Sequence, residues 1–207
     1  MSKERIFSLG EVFTPDFIVK DMLKNIKDMN YSTSFFEPGC GDGNFVNEVL
    51  EMKLKQLSSL KEVKKSLSSG YFDELEHKLV ILIGSIYAVE IDKLNRNKTV
   101  ERLFKSLKKY YQSKNGENDK FIEIIYEIIN KNIILGDLIN GIKNIEIYEY
   151  AELPGYKVKL KIYNFNDLMY PDDEVFTDDF KLFGHVPKAI KEFTSTHYKN
   201  IFELLNG

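Results

Sequence analysis

The stretch Phe35-Phe36-Glu37-Pro38-Gly39-Cys40-Gly41-Asp42-Gly43-Asn44-Phe45 constrains the fold of this chain more than any other. An apolar, aromatic run closes on an acid, three glycines alternate, and a helical pattern begins at once. That order reads as a short strand ending near Phe36, a glycine-rich turn and a helix. Turns of this kind sit at the carboxyl edge of a parallel sheet, where ligands of α/β proteins bind. Gly39, Gly41 and Gly43 let the backbone approach a ligand closely and take positive φ. Incidental glycines in an ordinary strand-to-helix turn are the competing explanation, and the flanking sequence has to decide.

Upstream, Thr14 is suited to cap a helix and Pro15 to open it, with Phe17, Ile18, Met22, Leu23 and Ile26 at helical spacing. Downstream, Ile86 to Val89 reads as a second strand ending at Glu90, and Asn132 to Leu135 as a third ending at Asp137. Helical patterns over Lys93–Tyr111 and FIEIIYEIIN separate them. Residues at about 54–79, rich in Lys, Ser and Glu, read as an exposed helical insertion, broken near Ser68-Ser69-Gly70. Beyond Gly136 the character changes: IEIYEY and KVKLKIYNF alternate like antiparallel strands about a turn at Pro154-Gly155. PDDEVFTDD reads as a loop and the last thirty or so residues as weakly helical at best. Three strands separated by helices predict an α/β fold, a Rossmann-like parallel sheet with helices on both faces, minimal or truncated. A C-terminal antiparallel β extension completes it. Residues 1–140 would form the sheet domain, with 141–207 packed on it as hairpin and tail.

The 207 residues suffice for one such domain, with 43% hydrophobic and 29% charged residues. A net charge of −3 argues against a DNA binder that works by bulk charge and leaves a local basic face open. The single cysteine, Cys40, excludes an internal disulfide framework and a zinc site of several thiolates. Leu79 to Ile83 is too short to span a bilayer, and the N-terminus has no apolar h-region, so a cytoplasmic protein with no membrane contact is expected.

Three strand-end acids carry the chemistry. Glu37, inside the glycine turn, would repel a pyrophosphate and suits a cationic amino-acid moiety, such as the ammonium of S-adenosylmethionine. Glu90 is placed to accept hydrogen bonds from a ribose hydroxyl pair; its separation from Glu37 exceeds the usual ~20 residues because the lysine-rich segment intervenes. Asp137 is placed to accept from an adenine amine, with Leu138 or Ile91 against the base. For Glu90 a solvated acid, and for Asp137 a capped turn, are the alternatives.

Four motifs in order resemble those of adenine-N6 DNA methyltransferases of the restriction-modification kind. Gly10-Glu11-Val12-Phe13-Thr14-Pro15 resembles the F-T-P motif, Glu37 to Phe45 resembles D-P-x-C-G-x-G-x-F, Tyr87 to Asp92 resembles Y-G-x-E-I-D, and Ile133 to Leu138 resembles the third cofactor motif. The resemblance implies S-adenosylmethionine as cofactor. It implies a binding site comprising Phe13, Thr14, Pro15, Glu37, Pro38, Gly39, Cys40, Gly41, Gly43, Asn44, Phe45, Glu90, Ile91, Asp137 and Leu138. DNA is the implied substrate.

The family's catalytic Asn/Asp-Pro-Pro-aromatic signature has no counterpart. The five prolines, Pro15, Pro38, Pro154, Pro171 and Pro187, include no adjacent pair. Tyr170-Pro171-Asp172-Asp173 and Glu152-Leu153-Pro154-Gly155-Tyr156 only approximate it, so no catalytic residue is assigned. A second protein subunit would have to supply that part, or the chain is an inactive binding or regulatory module. Lys53, Lys55, Lys61, Lys64, Lys65, Lys105, Lys108 and Lys109 read as solvated helix faces. His77, His185 and His197 have no metal spacing, and Asp172, Asp173, Asp178 and Asp179 read as an acidic loop. Tyr148, Tyr150, Tyr163 and Phe165 read as the cover of a sheet face; Tyr163 or Phe165 would be the base-stacking choice.

Overall fold

The computed structural model describes residues 14–26, 29–169 and 188–207. Phe13 and the stretch from Tyr170 to Pro187 lie outside the described residues, and with them Asp172, Asp173, Asp178, Asp179 and His185.

In chain order the elements are α1 (Asp16–Leu23), β1 (Phe35–Glu37), α2 (Asn44–Ser59), α3 (Lys61–Ser68) and α4 (Asp73–Gly84). Next come β2 (Ile86–Glu90), α5 (Lys93–Ser113), α6 (Asp119–Asn132) and β3 (Ile133–Leu135). The chain ends with β4 (Glu146–Leu153), β5 (Lys157–Asn164), α7 (Phe165–Met169), β6 (Lys191–Glu192), β7 (Thr196–His197) and α8 (Ile201–Asn206).

The fold is mixed α/β. β1, β2 and β3 form a parallel sheet in that order, with Phe35 opposite Ile86, Glu37 opposite Ala88 and Glu90 opposite Leu135. β2 is buried along its whole length, which is why Ile86-Tyr87-Ala88-Val89 is continuously apolar rather than alternating. Its two faces meet different partners. Ile86 and Ala88 belong to the main core with Val46, Leu50, Leu103, Ile125 and Ile129 of the helices. Tyr87 and Val89 pack on Ile145, Ile147 and Phe165 instead. The expectation of helices on both faces therefore needs correcting: the base of the hairpin and the five-residue α7 cover the second face. The helix faces are legible locally. Asp92 Oδ1 caps α5 by accepting from Asn95 N at 2.8 Å, and α6 turns Phe121, Ile124, Ile125, Ile128 and Ile129 inward.

α1 begins one residue later than its sequence suggests. Pro15, without a side-chain cap, sits at the cap position, and its carbonyl accepts from Ile18 and Val19. The exposed insertion is also revised. α3 is a surface helix with Val63 turned inward, but α4 is buried from Leu75 to Gly84 and is the central helix of the molecule. Its last six residues, Leu79 to Gly84, carry no polar side chain, and α6, α3 and β4 pack around the helix.

The extension is larger than a hairpin. β4 and β5 pair antiparallel through the loop Pro154-Gly155-Tyr156, and β6 and β7 both add to the other side of β5. Gly155 and Tyr156 take left-handed φ values of 74° and 59° to close that loop. Tyr150, Val158, Leu160, Tyr198, Ile201 and Leu205 join the same core as the helices. Each such side chain removed from water stabilises the fold by about 1.5–3 kcal/mol. Among the described residues no helix is long and apolar enough to cross a membrane.

Candidate functional site

All three parallel strands end on the same edge, and their terminal acids fall into different environments. The glycine turn crosses that edge between β1 and α2. It is tied to β2 at two points: Cys40 N donates to Val89 O at 3.2 Å, and Gly41 N donates to Glu90 Oε2 at 2.7 Å. Glu90 Oε1 accepts from Asp92 N at 2.9 Å, so the carboxylate, only 8% exposed, holds the turn and the start of α5 together. A carboxylate has about four acceptor positions, so each oxygen keeps capacity for a ligand hydroxyl.

Two of the three motif glycines have left-handed φ, Gly41 at 55° and Gly43 at 82°; Gly39 does not, contrary to expectation. The reasons for glycine also differ. A Cβ on Gly43 would lie 2.7 Å from Thr99 Oγ1 and 3.0 Å from Thr99 Cα, whereas at Gly39 and Gly41 it would meet nothing within 4 Å. Gly43 is thus required for helix packing, while Gly39 and Gly41 border open space.

Behind the turn, α5 makes contacts that the sequence does not reveal. Thr99 Oγ1 donates to Gly41 O at 3.0 Å, and Arg102 donates to Asp42 Oδ2 at 3.0 Å and to Asn44 Oδ1 at 3.3 Å. Asn44 Nδ2 donates to Thr14 O at 2.9 Å, bringing the start of α1 against the start of α2. No local pattern marks Thr99 or Arg102; they stand far along the chain from the glycine turn.

Glu37 is half-buried, and burial pushes its carboxyl above the ordinary range despite a hydrogen bond from the Gly39 backbone. A cationic group beside it would reverse that shift. Cys40 is buried against Thr99, with its Sγ 3.7 Å from Oγ1, and burial pushes its thiol up to about 11. It is therefore a packing residue, not a nucleophile. Asp137 is engaged in a turn of its own: Oδ1 accepts from Ile139 N at 2.8 Å and Asn140 N at 3.1 Å, and Oδ2 from Asn140 Nδ2 at 2.9 Å. Those bonds, that of the Asn140 side chain first, hold its carboxyl below the ordinary range.

The remaining site residues divide. Pro38 and Gly39 are exposed, and Ile91 is 57% exposed at the sheet edge. Phe45 stacks on Phe35 with centroids 6.0 Å apart and packs on the core, and Leu138 packs on the Tyr87 cluster. Phe165 is buried and stacks on Phe36 at 4.9 Å, so it forms core, not a base platform. The Tyr163 hydroxyl donates to Glu149 at 2.9 Å. Lys53 also departs from the solvated face expected of it. It is fully buried, and its Nζ donates to Ser85 Oγ at 2.6 Å, to Tyr31 O at 3.4 Å and to Thr33 O. Among the described residues no cluster of His, Cys, Asp and Glu has the makings of a metal site.

No protein-family model and no solved structure matches the chain. Protein NIP100 of Saccharomyces cerevisiae is 32% identical to it over 139 residues, which is 64% of this chain and 15% of that protein. The chain thus spans a small fraction of the length of this curated relative.

Proposed function

We propose that the glycine turn and the carboxyl edge of the β1-β2-β3 sheet bind S-adenosylmethionine, within a Rossmann-like methyltransferase fold. The observation that carries this reading is the Glu90 carboxylate, bonded to the Gly41 amide and holding the open-faced turn against the edge of β2. Glu90 would accept from the ribose hydroxyls with its remaining lone pairs, and Glu37 would face the cationic amino-acid end. Ile91, exposed at the edge, would lie against the base. When bound, the cofactor supplies an activated methyl group. The residues of this chain orient it and keep the backbone of the turn fixed while it binds.

The acceptor is proposed from the motif resemblance alone: adenine N6 in DNA, with a second subunit supplying the missing Asn/Asp-Pro-Pro-aromatic element. The isolated prolines favour a second reading, an inactive cofactor-binding or regulatory module of a restriction-modification or phage system. Isothermal titration calorimetry with S-adenosylmethionine and S-adenosylhomocysteine tests the common part. Micromolar binding is expected, and Glu90→Ala should weaken it by about 1.5–3 kcal/mol through lost bonds to a charged acceptor. A folded Glu90→Ala protein with unchanged affinity would remove the ribose assignment. Absence of binding by the folded wild-type chain would remove the cofactor itself. Methylation of DNA by the chain alone or with a partner then separates the two readings.

A further inference from the structure

We infer that the free edge of β4 is a docking site for an extended basic segment of another protein chain, which adds to the antiparallel sheet as a further strand. Among the described residues β4 is the end strand of that sheet, since β6 and β7 both lie on the far side of β5. The register shows which of its backbone groups face outward. Ile162 O accepts from Ile190 N at 2.8 Å and Leu160 O from Phe193 N at 3.0 Å, so these β5 residues turn their backbone away from β4. In an antiparallel ladder, directly opposed residues exchange both hydrogen bonds or neither. Tyr148, opposite Ile162, and Tyr150, opposite Leu160, therefore point their N–H and C=O away from β5, and Glu152, two residues further, does the same.

Tyr148 O already has a partner, the Tyr87 hydroxyl at 3.0 Å. Beyond it, the outward groups of Tyr150 and Glu152 have no backbone partner elsewhere among the described residues. Tyr150 is 6% exposed, and backbone groups left without a partner at a buried position are costly. A recess of about 260 Å³ runs along this edge, with Glu149 to Glu152 on one side and Ser32, Ser34, Ser85 and Tyr87 on the other. That is the space of about nine water molecules, enough for a short stretch of extended backbone. Lys53 fixes the opposite wall through Tyr31, Thr33 and Ser85, so the recess is preformed.

Charge selects the occupant. Glu146 and Glu149 are exposed along β4 with no ion-pair partner among the described residues, whereas Glu152 is already paired with Lys78 at 3.0 Å; β4 has no lysine, arginine or proline of its own. A second copy of β4 would bring its glutamates alongside these, and like charges on neighbouring strands are destabilising. A strand alternating lysine or arginine with apolar residues is complementary. The edge from Tyr148 to Glu152 is about 14 Å long at the usual rise, which sets the length of the segment held. Ser34 and Ser85 precede β1 and β2, so the recess lies at the opposite end of the parallel sheet from Glu37 and Glu90 and is independent of the cofactor reading.

The test is NMR titration of the whole isotope-labelled chain with a short capped peptide alternating lysine and valine. Two controls accompany it: the same peptide N-methylated at alternate amides, and one alternating glutamate and valine. Saturable shifts at Ser32, Ser34, Tyr150 and Glu152 are expected, weakened about tenfold or more by N-methylation. Glu149→Lys should weaken the lysine peptide and strengthen the glutamate one. Equal binding of the N-methylated peptide would reduce the site to surface charge and overturn strand addition. Absence of shifts at millimolar peptide would overturn docking altogether. Concentration-dependent shifts at Tyr150 without peptide would make the occupant a second copy and overturn the assignment of a basic partner.

Discussion

Gly43→Ala and Gly41→Ala form a pair that tests how the glycine turn is held. At both positions a non-glycine residue must adopt a left-handed backbone, at about 1–2 kcal/mol. At Gly41 that is the whole cost, because the added methyl meets nothing within 4 Å. At Gly43 the methyl would sit 2.7 Å from Thr99 Oγ1, 2.8 Å from Cγ2 and 3.0 Å from Cα. The first two contacts belong to a short β-branched side chain buried on α5, and the third to its backbone, so the helix itself has to retreat. Overpacking of this kind adds about 1–3 kcal/mol, giving a total of about 2–5 kcal/mol for Gly43→Ala. Urea unfolding followed by circular dichroism should show Gly43→Ala clearly the less stable of the two. Thr99→Ala in the Gly43→Ala background should recover part of the loss, the backbone contact remaining. A Gly43→Ala protein within about 1 kcal/mol of wild type, or one no less stable than Gly41→Ala, would refute the close approach of α5 to the turn. On the proposed function the ranking inverts for binding: Gly41→Val should abolish the S-adenosylmethionine heat by filling the open face, and normal binding would show that the turn is not the pocket.

Other expectations follow from the buried polar groups. Burial lowers the Lys53 ammonium to about 8 from an ordinary 10.5, so across that pH interval the unfolded chain binds more protons and stability rises with pH. The stability difference between wild type and Lys53→Met should change by on the order of 3 kcal/mol from pH 8 to 10.5, with the penalty fully present below pH 8; a flat difference would contradict it. The buried hydroxyl of Tyr150 has no partner among the described residues, so Tyr150→Phe should raise stability by about 1 kcal/mol. A loss in the same urea titration would mean that an internal water serves it. The Tyr198 hydroxyl lies 2.7 Å from Glu76 Oε2 and 2.8 Å from Asp73 Oδ1, donating its one proton between them, and anchors the C-terminal segment. Tyr198→Phe should cost about 1.5–3 kcal/mol and speed hydrogen exchange over residues 196–207 first; uniform exchange would argue against a local anchor.

What the sequence made legible was whatever depends on neighbours in the chain. The strand-turn-helix at Phe35–Phe45, the apolar run of β2 and the face of α6 all follow from local period, and the structure has them where the pattern puts them. α4 was hidden because its first half is polar: Glu76, His77 and Lys78 read as surface. Each is buried only because something distant meets it. Glu76 accepts from Tyr111, Tyr198 and Asn118, His77 Nε2 lies 3.0 Å from Lys157 O, and Lys78 is 3.0 Å from Glu152. Lys53 is the same case. Period cannot distinguish a solvated lysine from one whose carbonyl and hydroxyl acceptors arrive from elsewhere in the chain. Thr99 and Arg102 were missed for the converse reason: nothing on α5 itself signals that the glycine turn lies against it.

The three strand-end acids show how similar residues at equivalent places come to differ. Asp137 spends both oxygens on the two residues after it, which stiffens the turn beyond β3 and leaves little for a ligand. Glu90 spends one bond on each of two backbone amides from separate segments, so its lone pairs are aligned yet incompletely used. Glu37 is desolvated with a single backbone donor, and burial raises its carboxyl pKa. On the proposed function, the ligand would bring a cation to β1 and hydroxyl donors to β2. It would also meet Ile91, exposed just after β2. If such a ligand carries a base, the base would be held by packing more than by hydrogen bonds. Its identity would then be read less stringently than its sugar and its charge.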